Sequence, residues 1–358
     1  MKISFVLPIY NRKDHIINAL EALNYQNGCN ECTYEVIVVD DGSDDDCCCA
    51  IKGIKKNYDL KYIYLDRSAK SCPSRARNYG WRNSHGDIIA FIDGDIIVPR
   101  NYIKEIERYY KAEQNLMLIG TRLMLKKLVA LESIRDESVF KLYKYNGNDP
   151  ELLENRHYLF DKYSYNISAI KKPWLKVYGC NIVMPRTWVE KIGGFDENFL
   201  GWGGDDLEMA YRAYTQGIKI YIDSKLEVLH QFHGEGDDVI RQDKFDGYEM
   251  NINYFYDKHP NAFELSRTKT HELSKGIIDI DYGVDEEKPE IRKVLDFKDR
   301  KDLPDIKESI LKFSNEKRLE IVVNDYVEDT DLDIWVQALG KRKSTPKYVP
   351  ISRKLSMI

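Results

Sequence analysis

Short apolar runs alternate with helix-periodic stretches through the first third of the chain. No other feature restricts the fold as much. Ile3–Leu7, Val36–Val39, Tyr62–Leu65 and Ile88–Ile92 read as buried strands. Between the first two, Ile16, Ile17, Leu20 and Leu23 line one helical face, with Asn11 as the expected cap and Asp14 in the first turn. Pro99 suits the start of a further helix through Tyr110. Strand–helix–strand repetition predicts an α/β fold with a doubly wound, mostly parallel sheet. Ligands bind such sheets beyond the carboxyl ends of the strands. The polar clusters Pro8-Ile9-Tyr10-Asn11, Asp40-Asp41-Gly42-Ser43 and Asp93-Gly94-Asp95 fall at those ends.

Further along, Val177–Met184 and Lys219–Asp223 read as strands, and Trp188–Ile192 as a short helix closed by Gly193-Gly194. A helix starts near Asp205, carries Leu207, Ala210, Tyr211 and Tyr214 at helical spacing, and ends at Gly217. Residues 121–175 are polar and aromatic, and are expected to cover the site. The character changes near residue 265. The expected division is a domain over 1–262, with a nucleotide-binding half (1–115) and an acceptor-side half (116–262), and a small α+β appendage over 263–358 ending in a basic tail. Ile306, Ile310 and Phe313 form one helical stripe there, and Leu332, Trp335, Val336 and Leu339 another. Acceptor docking and self-association both remain open for this appendage.

Bulk properties narrow the function classes. The 358 residues are 43% hydrophobic and 32% charged, as in globular proteins, with a net charge of −5. That balance argues against a nucleic-acid partner held by bulk phosphate attraction. No apolar run reaches the roughly 18–20 residues of a membrane helix. The expectation is a cytoplasmic protein, free or resting on the inner membrane face. The seven cysteines are read as reduced thiols, and neither Cys29-x-x-Cys32 nor Cys47-Cys48-Cys49 supplies a zinc set.

Two acidic motifs carry chemistry. Asp93 and Asp95 flank Gly94 at a strand end, where hard oxygen ligands suit Mg²⁺ or Mn²⁺ on a diphosphate; ordinary turn chemistry is the alternative. His230 is the preferred imidazole ligand, with His233 a second candidate. Within Gly201-Trp202-Gly203-Gly204-Asp205-Asp206, adjacent acids cannot point the same way on a helix. One is expected to face the cleft and deprotonate an acceptor, while the other is structural. Trp202 offers a flat face to a sugar, on a backbone loosened by Gly203 and Gly204. Asp40 and Asp41 are candidates for a nucleobase or ribose, and Arg77 for a base or phosphate. A loop at 232–245, rich in Gly and Asp, is expected to close over the site.

Taken in order, Pro8-Ile9-Tyr10-Asn11, Val38-Val39-Asp40-Asp41-Gly42-Ser43, Arg75-Ala76-Arg77-Asn78-Tyr79-Gly80 and Phe91-Ile92-Asp93-Gly94-Asp95 resemble a family 2 glycosyltransferase of GT-A fold. Gly193-Gly194-Phe195-Asp196-Glu197 through Asp206 resembles the acceptor-side segment of β-1,4-galactosyltransferases, chondroitin-polymerase-like enzymes and polypeptide GalNAc-transferases. The likeness covers about residues 1–255 and implies a UDP-sugar donor with Mn²⁺ or Mg²⁺. It implies Pro8, Tyr10 and Asp41 on the uridine with Asp40 nearby, Asp95 as main metal ligand, Asp93 on ribose or metal, and His230 completing the metal site. Asp206 is then the base of an inverting transfer to a glycan, such as a bacterial-type surface polysaccharide, or to a Ser or Cys side chain of a secreted peptide. Asp205 stands where relatives often carry Glu. A non-catalytic nucleotide-sugar or glycan-binding module is the rival reading.

Overall fold

The computed structural model describes residues 1–27, 32–143, 149–162, 165–167, 170–234, 242–274, 291–316, 319–327, 330–339 and 346–350. The elements β1 (Lys2–Ile9), α1 (Lys13–Asn24), β2 (Thr33–Asp40), α2 (Cys47–Lys52), β3 (Asp59–Tyr64), α3 (Pro73–Arg82) and β4 (Ile88–Ile92) follow the alternation read from the sequence. Then come β5 (Ile96–Ile97), α4 (Tyr102–Ala112), β6 (Leu116–Ile119), β7 (Arg122–Met124), α5 (Leu131–Arg135), α6 (Ser138–Leu142) and α7 (Arg156–Lys162). After these, β8 (Asn181–Pro185), α8 (Arg186–Ile192), α9 (Asp205–Thr215), β9 (Lys219–Ile222), β10 (Val228–His230), α10 (Gln242–Lys258) and α11 (Arg267–Ser274) complete the main body.

The central sheet has the order β3-β2-β1-β4-β8-β6-β9. β8 alone runs against its neighbours; the other pairings are parallel. Strands buried on both faces need no alternation, which is why β1 and β4 read as continuous apolar runs. One face packs Phe5, Leu7, Leu20, Tyr102 and Tyr109; the other packs Val6, Phe91, Trp174, Met209 and Phe255. A small second sheet, β5-β10-β7, lies beyond the carboxyl end of β4.

Several local expectations are corrected. Asn11 does not cap α1: it is left-handed (φ 50°), and its Oδ1 accepts the Asp44 N–H at 2.9 Å. The first turn of α1 is instead capped from outside, Lys13 N–H donating to Asp45 Oδ2 at 2.9 Å. The strand read from Val177 begins at Asn181, after a 3₁₀ turn over Pro173–Lys176. Cys32 is disulfide-bonded, against the expectation of thiols throughout, while Cys47, Cys48, Cys49, Cys72 and Cys180 are free. Cys29 lies outside the described residues. Among the described residues no helix is long and apolar enough to cross a membrane.

The C-terminal part, expected as α+β, alternates strand and helix: β11 (Ile291–Phe297), α12 (Leu303–Phe313), β12 (Leu319–Asp325), α13 (Thr330–Ala338) and β13 (Lys347–Pro350). Its three strands are parallel. Phe297, Ile310, Ile321, Val323, Leu332 and Val336 form its core. It docks on the main body through α13. Tyr109 donates its hydroxyl to Asp333 Oδ2 at 3.0 Å, and the Gln337 amide bonds both the N–H (3.2 Å) and the C=O (3.0 Å) of Ile222.

Candidate active site

Strand pairing brings the first acidic motif to the histidines. β4 ends at Ile92, and Asp93-Gly94-Asp95 turns the chain into β5, with Ile96 N–H on Asp93 O at 3.1 Å. β10 pairs antiparallel with β5 so that His230 lies opposite Ile96, and Gln231 N–H donates to Asp95 O at 3.1 Å. Gly94 is required by close approach: a Cβ there would sit 2.3 Å from Ile9 Cγ2.

Asp95 Oδ2 lies 2.9 Å from His233 Nε2 and 3.7 Å from His230 Nε2. Ligand atoms of these three residues all lie within 4.8 Å of one another. Burial keeps His230 below the ordinary imidazole range, which favours the neutral, ligating form. Burial alone would raise Asp95; His230 and the His233 hydrogen bond overcome it and hold the carboxyl well below the usual range. Asp95 Oδ1 is buried with no hydrogen-bond partner among the described residues. An orphaned carboxylate oxygen beside two imidazoles fits a divalent cation. Both histidines join the cluster, the preferred His230 and the second candidate His233. His15, on α1, was missed: its Nε2 is 3.0 Å from Phe232 O and its ring 5.0 Å from that of His233. A lone histidine on a helix face gives no spacing signal.

Asp93 is not in that cluster. Its Oδ1 takes Arg77 Nη2 at 2.7 Å, and Arg77 Nη1 reaches Asp205 Oδ2 at 3.2 Å. Arg77 is buried and its charge is opposed by burial, but Asp93 and Asp205 more than restore it. Instead of standing free for a base or phosphate, it is a strut joining the two acidic motifs.

The second motif is shaped by left-handed glycines. Gly203 (φ 79°) and Gly204 (φ 87°) turn the chain into α9, and Gly204 occupies the N-cap, so Asp205 does not cap with its side chain. Asp205 Oδ2 also accepts the Ser74 hydroxyl at 2.9 Å. Asp206 Oδ2 accepts Gly179 N–H at 2.7 Å and Oδ1 accepts Leu207 N–H at 2.8 Å. Burial, with the neighbouring Asp205 charge, pushes the Asp206 carboxyl up to about 6. One peptide beyond Gly179, Cys180 O accepts the Asp93 N–H at 3.4 Å, so the Gly179-Cys180 segment touches both motifs.

Trp202 is 54% exposed, its ring 5.9 Å from that of Tyr248. Tyr248 lies on α10, which the sequence reading placed partly in a closing loop. Residues 235–241 of that loop lie outside the described residues. α10 braces the Trp202 turn, Asn251 Nδ2 donating to Gly203 O at 2.7 Å.

At the nucleotide end, Asp40 makes the turn: Oδ1 accepts Ser43 N–H at 2.7 Å and Oδ2 the Tyr62 hydroxyl at 2.5 Å. Asp41, raised by burial, accepts from Arg67 (2.9 Å), Ser71 (3.1 Å) and Arg75 (3.3 Å). Tyr10, half exposed, lies under the Arg67 guanidinium, 3.8 Å from its ring centre. Pro8, at the end of β1, pairs with Val39.

Residues 4–193, more than half of the chain, match the family described as glycosyl transferase family 2, and residues 162–234 match the N-terminal domain of galactosyltransferase. The uncharacterized glycosyltransferase YfnE of Bacillus subtilis is 26% identical over 74% of this chain and 72% of its own length. Validoxylamine A glucosyltransferase of Streptomyces hygroscopicus is 26% identical over 72% of this chain, which spans 57% of that relative. Chondroitin synthase of Escherichia coli is 26% identical over 60% of this chain and 32% of its own. Among solved structures, S. aureus TarS 1-349 in complex with UDP-GlcNAc aligns at a TM-score of 0.49 and 18% identity, covering 76% of each chain.

Proposed function

Because the chain belongs to glycosyl transferase family 2 and is a glycosyltransferase, we propose that it moves a sugar from UDP to a carbohydrate hydroxyl, with inversion and with a divalent cation. The observation that supports this reading is the Asp93–Arg77–Asp205 bridge, at 2.7 and 3.2 Å, which ties the turn carrying the cation-fitting cluster to the turn carrying Asp206.

Tyr10, Pro8 and Asp41 would line the uridine. Asp95, His230 and His233 would hold Mn²⁺ or Mg²⁺, which when bound neutralises diphosphate charge. Asp206 takes the acceptor proton as the acceptor oxygen bonds the anomeric carbon. The bond from that carbon to the phosphate oxygen breaks, and its electron pair leaves with UDP. A carboxyl near 6 is ionised at neutral pH yet basic enough to share that proton. Asp205, committed to Ser74 and Arg77, fixes the turn that presents Asp206. The exposed Trp202 ring beside Tyr248 offers a face for a sugar, which favours a glycan acceptor. The relatives named as a glucosyltransferase and a chondroitin synthase support that choice of class.

The test is a UDP titration with and without Mn²⁺. Wild-type protein is expected to bind UDP more tightly with Mn²⁺, and Asp95→Ala to lose that response. An unchanged metal response in Asp95→Ala overturns the cation assignment. Mass spectrometry of oligosaccharide and peptide acceptors, after incubation with UDP-sugars, then separates the two acceptor classes.

A further inference from the structure

The histidines of the cation cluster sit on a segment that outruns its sheet. β10 ends at His230, yet His233 beyond it reaches Asp95 Oδ2 at 2.9 Å. Past the strand, the chain is held by α1. Gln231 is buried, and its side-chain amide uses both ends on that helix. Nε2 donates to His15 O at 3.0 Å, and Oε1 accepts from Asn18 Nδ2 at 2.8 Å. Asn18 Nδ2 also donates to Val129 O at 3.3 Å, which fixes its own amide. His15 and Asn18 lie about one turn apart, so they share a face of α1. A carbonyl only accepts, so His15 Nε2 donates to Phe232 O at 3.0 Å. The His15 ring stands edge-on to that of His233, with 5.0 Å between centres.

The same helix meets the other half of the cluster. A Cβ on Gly94 would lie 3.5 Å from Ile16 Cδ1, so α1 packs against the Asp93-Gly94-Asp95 turn. One helix thus braces both the segment carrying the carboxylate and the segment carrying the imidazoles. A bound cation tolerates errors of only about 0.2 Å in its ligand distances, so the spacing of the two segments decides how tightly it is held. A buried amide matched at both ends fixes that spacing, because leaving either end unmatched strands a desolvated polar group.

We infer that Gln231, gripped by His15 and Asn18 of α1, is a positioning residue that sets His230 and His233 at cation-binding distance from Asp95. It acts through the backbone joining the two imidazoles and needs no contact with cation or donor. The inference rests on the cation reading above.

The experiment measures UDP affinity by calorimetry across a series of Mn²⁺ concentrations, for the wild type, Gln231→Leu, Asn18→Ala and Asp95→Ala. The quantity read is the Mn²⁺ concentration that gives half of the gain in affinity, beside the affinity without Mn²⁺. Gln231→Leu keeps the bulk and loses both amide bonds. It is expected to need about tenfold to a hundredfold more Mn²⁺, with metal-free UDP affinity unchanged. Asn18→Ala, which leaves Gln231 Oε1 unmatched, is expected to shift in the same direction. A folded Gln231→Leu with the wild-type Mn²⁺ requirement overturns the inference. So does an equal loss in metal-free UDP affinity, the mark of a merely structural glutamine. If Gln231→Leu does not fold, Asn18→Ala decides: a selective rise in the Mn²⁺ requirement supports the positioning role, and any other pattern overturns it. Asp95→Ala separates the two readings. If it keeps the wild-type Mn²⁺ response, or the wild type shows none, the cation assignment fails and this inference with it. If Asp95→Ala alone loses the response, only the positioning role fails.

Discussion

Asp95 and Asp206 stand next to the two ends of the Asp93–Arg77–Asp205 bridge, and their surroundings shift them in opposite directions. Asp95 is set between two imidazoles, which overcome its burial and keep it ionised. Asp206 is set beside another carboxylate, receives two backbone N–H groups, and rises to about 6. Identical side chains are thus shifted in opposite directions by their neighbours, which suits the proposed roles of cation ligand and proton acceptor. Arg77 keeps the two corners apart and in register by taking one acid from each motif.

The contrast is broken most directly at Asp206. Asp206→Asn is expected to lower transfer by about 10²- to 10⁴-fold while leaving Mn²⁺-dependent UDP binding in place. Ordinary turnover by that variant, measured as sugar incorporation, would show that the proton goes elsewhere. Next is the strut. Arg77→Met leaves Asp93 and Asp205 without their buried counter-charge, at a cost of about 3–5 kcal/mol in denaturant unfolding. An unshifted midpoint would mean the two corners stand without it.

The pH profile sharpens the comparison. Only ionised Asp206 accepts a proton, so transfer rises with pH through about 6. Asp205 raises that value, and Asp205→Asn should move the acid limb down by roughly one unit. A limb that stays in place would assign the titration to another group. The smallest effect lies at the C-terminal unit. Burial pushes Asp223 up to about 7 and Asp333 up to about 6, from an ordinary value of 3.8. A carboxyl raised in the folded state holds more protons there, so its contribution is complete below 3.8 and fades as pH climbs toward 7. Asp333→Asn should flatten that decline between pH 4 and pH 8 by on the order of 1 kcal/mol. An unaltered slope in thermal melts would remove Asp333 from the account.

The strands β1, β2 and β4 were legible because burial on both faces writes itself as unbroken apolar sequence. Their polar ends located Asp95 and Asp41. The elements β5, β7 and β10, two or three residues each, are too short to show a period, yet they bring His230 to Asp95. His233 was legible as a second candidate beside His230, whereas His15 was hidden, since its neighbours are set by packing between distant segments. α10 escaped because Gly247 and its polar residues blur the apolar stripe of Ile252 and Phe255. Arg77 was visible as a cation, but its partners depend on how Asp205 is presented by the two left-handed glycines before it.

The Gln337 amide does for β9 what another strand would do. Ile222 ends the open margin of the large sheet, and a single side chain supplies both its donor and its acceptor. A version of the chain shortened ahead of β11 would bare that margin. Unpaired peptide groups there would recruit a second molecule, and the symptom would be concentration-dependent precipitation before any loss of catalytic residues.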